Sequence, residues 1–289
     1  MVTAIRTIGL TAAPHKPRAL DLVGQLYGEL QVRGVGCVVD EALQGLCEQE
    51  FRYGSLAKCA ECDLILVLGG DGTLLAAARE AAPTGTPLLG VDLGSFGFLS
   101  AEDPDLLIGH LDKLLAGDFE VERRTMLTVH LGGEQEALWA LNDVTLAKNV
   151  HGRMIRVRTT LDGDHLATYP ADGLIIATST GSTAYNLSAG GPIIDSRMAA
   201  MVLTPICPHT LYSRPLVVPA EVEIALSLEA TGPHSMQAAL LVDGQEARVV
   251  KHGETVLIRR APQDAKLVRL GESRFYEQLR EKLRWGAER

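Results

Sequence analysis

The spacing of apolar residues changes character near residue 120, and that change limits the fold more than any other feature of the sequence. Before it, short apolar runs alternate with helical spacing. "TAIRTIGL" leads to a helix around residues 18–32, "GVGCVV" leads to another, and "LILVL" leads to a helix over 73–82. "PLLGVDLG" followed by "DPDLLIGHLDKLLAG" keeps the same rhythm. Strand–helix alternation of this kind builds a parallel sheet flanked by helices. After "FEVERRTMLTVHL" the spacing is that of strands alone. "IRVRTTLDGDHLATY" alternates on both sides of Asp162-Gly163, and "AALLVDGQEARVV" on both sides of Asp243-Gly244. Asp-Gly between alternating runs signals a hairpin, because both central residues of the favoured turn take positive φ. Several strands at this spacing predict a sandwich.

The tail "SRFYEQLREKLRWG" returns to helical spacing, with Phe275, Leu279 and Leu283 on one face. The expected organisation is an α/β N-terminal domain over 1–122, an all-β sandwich domain over 123–262, and a tail, 263–289, whose helix packs back on the first domain. A chain of 289 residues with 46% hydrophobic content can fill two cores. Its net charge of −9, with no dense Lys/Arg run, argues against nucleic acid as a partner. No apolar run reaches membrane-spanning length, and "MVTAIRTIGL" reads as a buried strand and not as a signal peptide. A soluble cytoplasmic protein is expected. The five cysteines include a lone CxxC, Cys59 and Cys62, without a matching second pair, so reduced thiols are expected. The histidines show no HExxH spacing, and no metal-ligating residues are assigned.

Three segments carry chemistry. In "DLILVLGGDGTLLAAARE", residues 63–80, an apolar strand runs through Gly69, Gly70, Gly72 and Thr73 into an alanine-rich helix. Glycines let the backbone come close to an anion, and the helix start offers N–H groups at a positive dipole end. Asp71 stands in the middle of that turn. It is either an ordinary turn residue or the group that accepts a proton from an attacking hydroxyl, as kinases require. GxxxxGK[ST] is absent, and "GVDLGSFGFL", with Gly90, Gly94 and Gly97, has the wrong spacing for a dinucleotide fingerprint. The second segment, "DGLIIATSTGSTAYNLSAGGPII", begins as a buried strand and becomes a crowd of hydroxyls: Thr178, Ser179, Thr180, Ser182 and Thr183. Ser182 or Thr183 is placed to cap a short helix ended by Gly190 and Gly191. Such a loop, with Tyr185, suits a ligand with ribose, phosphate and an aromatic base, or is simply a well-capped turn. The third, "LNDVTL", sets Asn142 beside Asp143, a pair able to grip a sugar diol or to form a β-bulge. "TPICPHTLYSRPLVVP" is a rim loop or a subunit contact.

Taken together and in this order, the segments resemble those of bacterial-type NAD kinases, over nearly the whole chain. GGDGT alone is shared with lipid kinases and phosphofructokinases; the hydroxyl-rich segment with the Asn-acidic pair is more specific. The resemblance implies transfer of a phosphoryl group from ATP or polyphosphate to the 2′-hydroxyl of the adenosine ribose of NAD, giving NADP. It implies Mg²⁺ or Mn²⁺ and a homodimer or homotetramer. Asp71 is then the proton acceptor, with Gly72 letting the backbone approach the substrate. NAD contacts are implied for Asn142 and Asp143, for Asp172 on the nicotinamide side, and for Thr183, Ala184, Tyr185, Asn186, Leu187 and Ser188 around the adenosine. Arg153 and Gln245 lie where the family often has further contacts. This chain departs from the pattern at Asp143 (commonly Glu), Ser179 (usually Pro), Asp92 (usually Asn) and Pro170, where a basic residue often stands.

Overall fold

The computed structural model describes residues 4–47, 49–94, 97–99, 102–134, 136–149, 154–229, 237–271 and 275–284, the side chains of 246 and 247 apart. The chain divides into two compact units, one of Met1–Arg123 with Ala265–Arg289 and one of Arg124–Asp264.

The first unit opens with β1 (Thr7–Ala12), α1 (Pro17–Val32), β2 (Gly36–Asp40), β3 (Tyr53–Gly54) and α2 (Leu56–Cys59). It continues with β4 (Leu64–Gly69), α3 (Asp71–Ala81), β5 (Pro87–Asp92), α4 (Pro104–Leu115) and β6 (Glu120–Arg124). The strands form one sheet in the order β3-β2-β1-β4-β5, then the strand Ala265–Arg269, then β6. β1 to β5 and the strand Ala265–Arg269 pair in parallel. Every residue of β4 is buried, which is what a strand covered on both faces requires. Leu64, Leu66 and Leu68 join α1 and α4 in one core with Leu26, Leu30, Leu107 and Leu111. The alternate residues Ile65 and Val67 are buried outside that cluster, and α3 packs along β4 and β5.

Two expectations need correction here. The helix expected after "GVGCVV" is absent: β2 is followed by a 3₁₀ turn, Glu41–Leu43, and Gly45 then takes φ 77°. A residue in that left-handed region cannot continue an α-helix, and α2 has only one turn. Second, the tail contributes a strand as well as a helix. "AKLVR" enters the sheet beside β5, pairing Lys266 with Pro87 and Leu267 with Leu88.

The second unit holds β7 (Leu127–Leu131), β8 (Leu138–Ala140), β9 (Asp143–Lys148), β10 (Ile155–Leu161), β11 (Asp164–Ala171) and β12 (Gly173–Thr178). After α5 (Tyr185–Ser188) come β13 (Ala200–Ile206), β14 (Leu216–Pro219), β15 (Ile224–Leu228), β16 (Gln237–Val242), β17 (Gln245–Lys251) and β18 (Thr255–Arg260). They make two sheets, β11-β10-β15-β18-β7-β8 and β14-β13-β12-β9-β16-β17, antiparallel in their pairings. Alternate residues of both sheets share one core, among them Val129, Val157, Leu226 and Ile258 from one and Leu146, Ile176, Leu203 and Leu240 from the other. That is the expected sandwich. Both hairpins form as expected: Asp162 and Gly163 take φ 50° and 87°, Asp243 and Gly244 take 50° and 77°. β12 is buried on both faces, because Ile175 and Ala177 pack with Ile194, Ala200 and Val202 away from the common core. Among the described residues no helix is long and apolar enough to cross a membrane.

Candidate active site

The first unit has a place where a ligand is favoured on topological grounds. The chain runs outward from β1 to β2 and β3, then returns to β4 on the other side of β1. In open sheets of this kind, ligands bind beyond the carboxyl ends of the strands at such a switch point. Here that end of β4 is the glycine turn. A Cβ on Gly69 would lie 2.6 Å from Thr73 Oγ1, so the turn closes only without a side chain. Gly70 caps α3 with no side-chain bond, which leaves the first N–H groups of the helix open to an anion.

Asp71 is the first residue of α3, not the middle of the turn. A negative charge there is favoured by the helix dipole. Its carboxylate is held in place by a segment more than twenty residues away. Phe98 N–H donates to Oδ2 at 2.9 Å and Leu99 N–H to Oδ1 at 3.2 Å. Gly97 makes room for it, since a Cβ there would stand 1.9 Å from Asp71 Oδ1. Gly97 of "GVDLGSFGFL" therefore serves a carboxylate cradle, a role that sequence spacing did not reveal. At Asp92, the family's usual Asn position, Oδ1 accepts the Gly94 N–H at 3.0 Å.

In the second unit, Asn142 and Asp143 stand at the entry to β9, and the hairpin residue Asp243 holds that entry. Its carboxylate accepts the N–H groups of Leu141 (3.1 Å), Asn142 (2.7 Å) and Asp143 (3.2 Å). Asn142 O accepts the Thr178 N–H at 2.9 Å. Asp143 is only 4% exposed and takes a hydrogen bond from Thr145 Oγ1 at 3.2 Å. Burial first, and the Asp243 charge second, push its pKa up to about 6. The folded chain therefore holds the proton between the ordinary 3.8 and about 6, so Asp143 costs no stability below that window and an increasing amount across it. We expect the stability advantage of Asp143→Asn over wild type to grow by on the order of 2 kcal/mol between pH 4 and pH 7.5. Urea unfolding at several pH values measures this; a gap independent of pH would show an ordinary carboxylate.

The hydroxyl-rich segment is more inward-facing than its composition implies. Thr178 Oγ1 donates to Leu141 O at 2.6 Å, and Ser182 Oγ donates to Ser179 O at 2.6 Å and receives the Ile194 N–H at 3.0 Å. Ser179, at the family's proline position, ties its hydroxyl to Ala200 O at 3.3 Å. All three are buried, so these hydroxyls build the loop and do not line its surface. The expected Ser182 or Thr183 cap is absent: α5 starts from Ala184 without a side-chain cap, and Gly190, at φ 86°, follows its end. Asn186 is fully buried, donating to Ser182 O and Pro192 O and accepting from Thr204 Oγ1. Tyr185 (46% exposed) and Ser188 face outward, with Thr183, Ala184 and Leu187 half-buried. Asp172 is half-buried and paired with Lys148 at 2.7 Å, so its cation comes from β9 and not from position 170. Pro170 sits on the edge strand β11, where a missing N–H is tolerated. Gln245 opens β17, exposed, directly after the Asp243-Gly244 turn. Arg153 lies outside the described residues.

Cys37 and Cys59 are buried, and burial pushes both thiols up to about 12, which keeps them protonated and unreactive. Among the described residues no group of three or more His, Cys, Asp or Glu is gathered to hold a metal ion. The Mg²⁺ or Mn²⁺ implied by resemblance thus has no all-protein cage in those residues.

A carboxylate fixed beside an open helix start, at the switch point of a parallel sheet, fits the parts a phosphoryl-transferring enzyme needs. Comparison with known proteins narrows the class. Models of the ATP-NAD kinase N-terminal and C-terminal domains match residues 8–119 and 141–270. The chain belongs to the ATP-NAD kinase family and is a phosphotransferase with ATP as donor. It is 42% identical over 287 residues to the NAD kinase of Moorella thermoacetica, across 99% of this chain and 91% of that protein. It is also 42% identical to that of Heliobacterium modesticaldum, across 97% and 99%. Its fold resembles yeast NADH kinase crystallised with NADH, with TM-score 0.91 and 24% identity over 99% of this chain and 89% of that one. It also resembles an Archaeoglobus fulgidus NAD kinase in complex with ATP, with TM-score 0.74 and 24% identity over 96% and 98%.

Proposed function

We propose that this protein moves a phosphoryl group from ATP to the 2′-hydroxyl of the adenosine ribose of NAD, with Asp71 accepting the hydroxyl proton. The observation that carries this is the fixed Asp71 carboxylate at the start of α3. A carboxylate has about four lone-pair sites, and the two backbone N–H groups occupy two of them, which leaves acceptor capacity for a hydroxyl. The N–H bonds fix its direction, so the base needs no reorganisation when the hydroxyl arrives. The open N–H groups of α3 face the phosphates. A divalent cation bound with the donor would supply neutralisation of the phosphate charge there. In the second unit we assign NAD contacts to Asn142, Asp172, Thr183, Ala184, Tyr185, Leu187, Ser188 and Gln245. Asp143 and Asn186 support that surface from within. The exposed Leu211 and Tyr212, 86% and 92% accessible, support self-association as a homodimer or homotetramer.

The test is NADP formation by purified protein given NAD, ATP and Mg²⁺, read with an NADP-specific dehydrogenase and repeated with polyphosphate. Silence with both donors, despite NAD binding, would sink the catalytic reading. Gly72 offers a sharper probe, because a Cβ there meets nothing within 4 Å in the folded chain. Gly72→Ala is expected to keep or slightly raise stability, by about 0.5–1 kcal/mol for a helical glycine. Its activity is expected to fall about tenfold or more, since the new methyl stands where the phosphates approach, a cost of about 1.4 kcal/mol. Unchanged activity would mean that no ligand comes close to Gly72.

A further inference from the structure

The C-terminal helix, Phe275–Leu283, brings a cation to the glycine-turn end of the first unit. Lys282 Nζ stands 3.9 Å from the centroid of the Phe98 ring, and Phe98 is the residue whose N–H holds Asp71 Oδ2 at 2.9 Å. Leu279, three residues earlier and on the same helix face, is buried, so that face is covered and not solvated. The charges of two carboxylates, Asp71 and Asp92, act on the ammonium. Asp92 pairs in register with Gly69, so it borders the glycine turn as well. Partial burial lowers the Lys282 pKa and is the larger influence, while the two carboxylates raise it. Among the described residues, the close partner of Nζ is an aromatic face, which attracts the charge without using all three N–H donors.

A partly desolvated ammonium with donors to spare, beside a helix start and an acceptor carboxylate, is arranged for an anion. We infer that Lys282 contacts a phosphate chain bound at the start of α3. This rests on the kinase reading of that site. It also resolves a difficulty of charge: a polyanion arriving there meets Asp71 and Asp92, and a helix end is worth only about half an elementary charge in opposition. A full positive charge from the C-terminal helix changes that balance. The chain is that of the donor or the pyrophosphate of NAD, and one set of measurements separates the two.

Lys282→Met keeps the aliphatic stem against Phe98 and removes the charge; Lys282→Arg keeps both charge and ring contact. Full-length proteins would be titrated calorimetrically with ATP, tripolyphosphate and NAD in Mg²⁺ at two salt concentrations. One lost charge-assisted contact weakens binding roughly tenfold or more. We expect that loss in Lys282→Met, with a shallower salt dependence, and recovery to within about threefold of wild type in Lys282→Arg. Loss confined to ATP and tripolyphosphate assigns Lys282 to the donor; loss confined to NAD assigns it to the acceptor. Binding of all three ligands at wild-type strength by Lys282→Met overturns the inference, and so does a wild type that binds none of them. Should Lys282→Met melt early, Lys282→Gln carries the same comparison. NADP formation by the wild type is assayed separately. A wild type that binds phosphate chains through Lys282 yet makes no NADP keeps this inference and removes the kinase reading.

Discussion

Asp71→Asn is expected to lower kcat by about 10³-fold, within the 10²–10⁴ range that a positioned proton acceptor contributes. The substitution preserves shape, so the change isolates chemistry from packing. Its amide oxygen still accepts one of the two backbone N–H groups, while its NH₂ faces the other as donor against donor. That mismatch and the lost helix-start charge cost about 1–2 kcal/mol together. For a chain of this size the melting temperature would fall by only a few degrees, at about 2–4 °C per kcal/mol. Substrate KM values should change little, because the carboxylate acts on a proton and not on affinity. The measurement pairs steady-state rates with thermal melting followed by circular dichroism. A folded Asp71→Asn enzyme keeping more than about a tenth of wild-type kcat, a barrier change under about 1.4 kcal/mol, would remove Asp71 from the role.

Gly181→Ala is the second large effect, and it works through packing. A Cβ at Gly181 would sit 2.0 Å from Asn142 O, 2.4 Å from its carbonyl carbon and 2.7 Å from its Cα. All three are backbone atoms and cannot swing aside. The segment around them is pinned as well: Thr178 N–H donates to Asn142 O, Thr178 Oγ1 to Leu141 O, and Gly181 N–H to Thr178 Oγ1. Overpacking of a well-packed site costs about 1–3 kcal/mol, and so rigid a collision belongs at or above the top of that range. The expected loss in melting temperature is about 6–12 °C. The displacement also moves Asn142, so NAD affinity should fall further than stability accounts for. Calorimetric melting with and without NAD tests both parts. A Gly181→Ala protein melting within about 2 °C of wild type would show that the two segments are free to separate, since under about 1 kcal/mol is then involved.

Much of this molecule was legible from local rules. The Asp-Gly hairpins depend only on two residues taking positive φ, and they form at Asp162-Gly163 and Asp243-Gly244. The change from mixed to all-strand spacing near residue 120 reflects which faces of each element are buried, which side-chain periodicity records directly. The glycine turn before α3 and the helix at the tail were readable for the same reason. Composition was a poorer guide between Thr178 and Ser182. Those hydroxyls look equally suited to a ligand or to the backbone, and burial gives Thr178, Ser179 and Ser182 to the backbone.

What sequence pattern could not supply were the contacts made across long separations. Asp71 is aimed by Phe98 and Leu99 and given room by Gly97. Asn142 and Asp143 are held by a carboxylate a hundred residues further on. Lys282 meets Phe98 only because the tail returns to the first unit, its strand Ala265–Arg269 pairing beside β5. Periodicity and turn chemistry depend on neighbours within one or two turns of chain, so they determine elements and hairpins. The direction of a carboxylate depends on N–H groups that only the assembled sheet brings within 3.2 Å, and that distance exists in no local stretch of the chain.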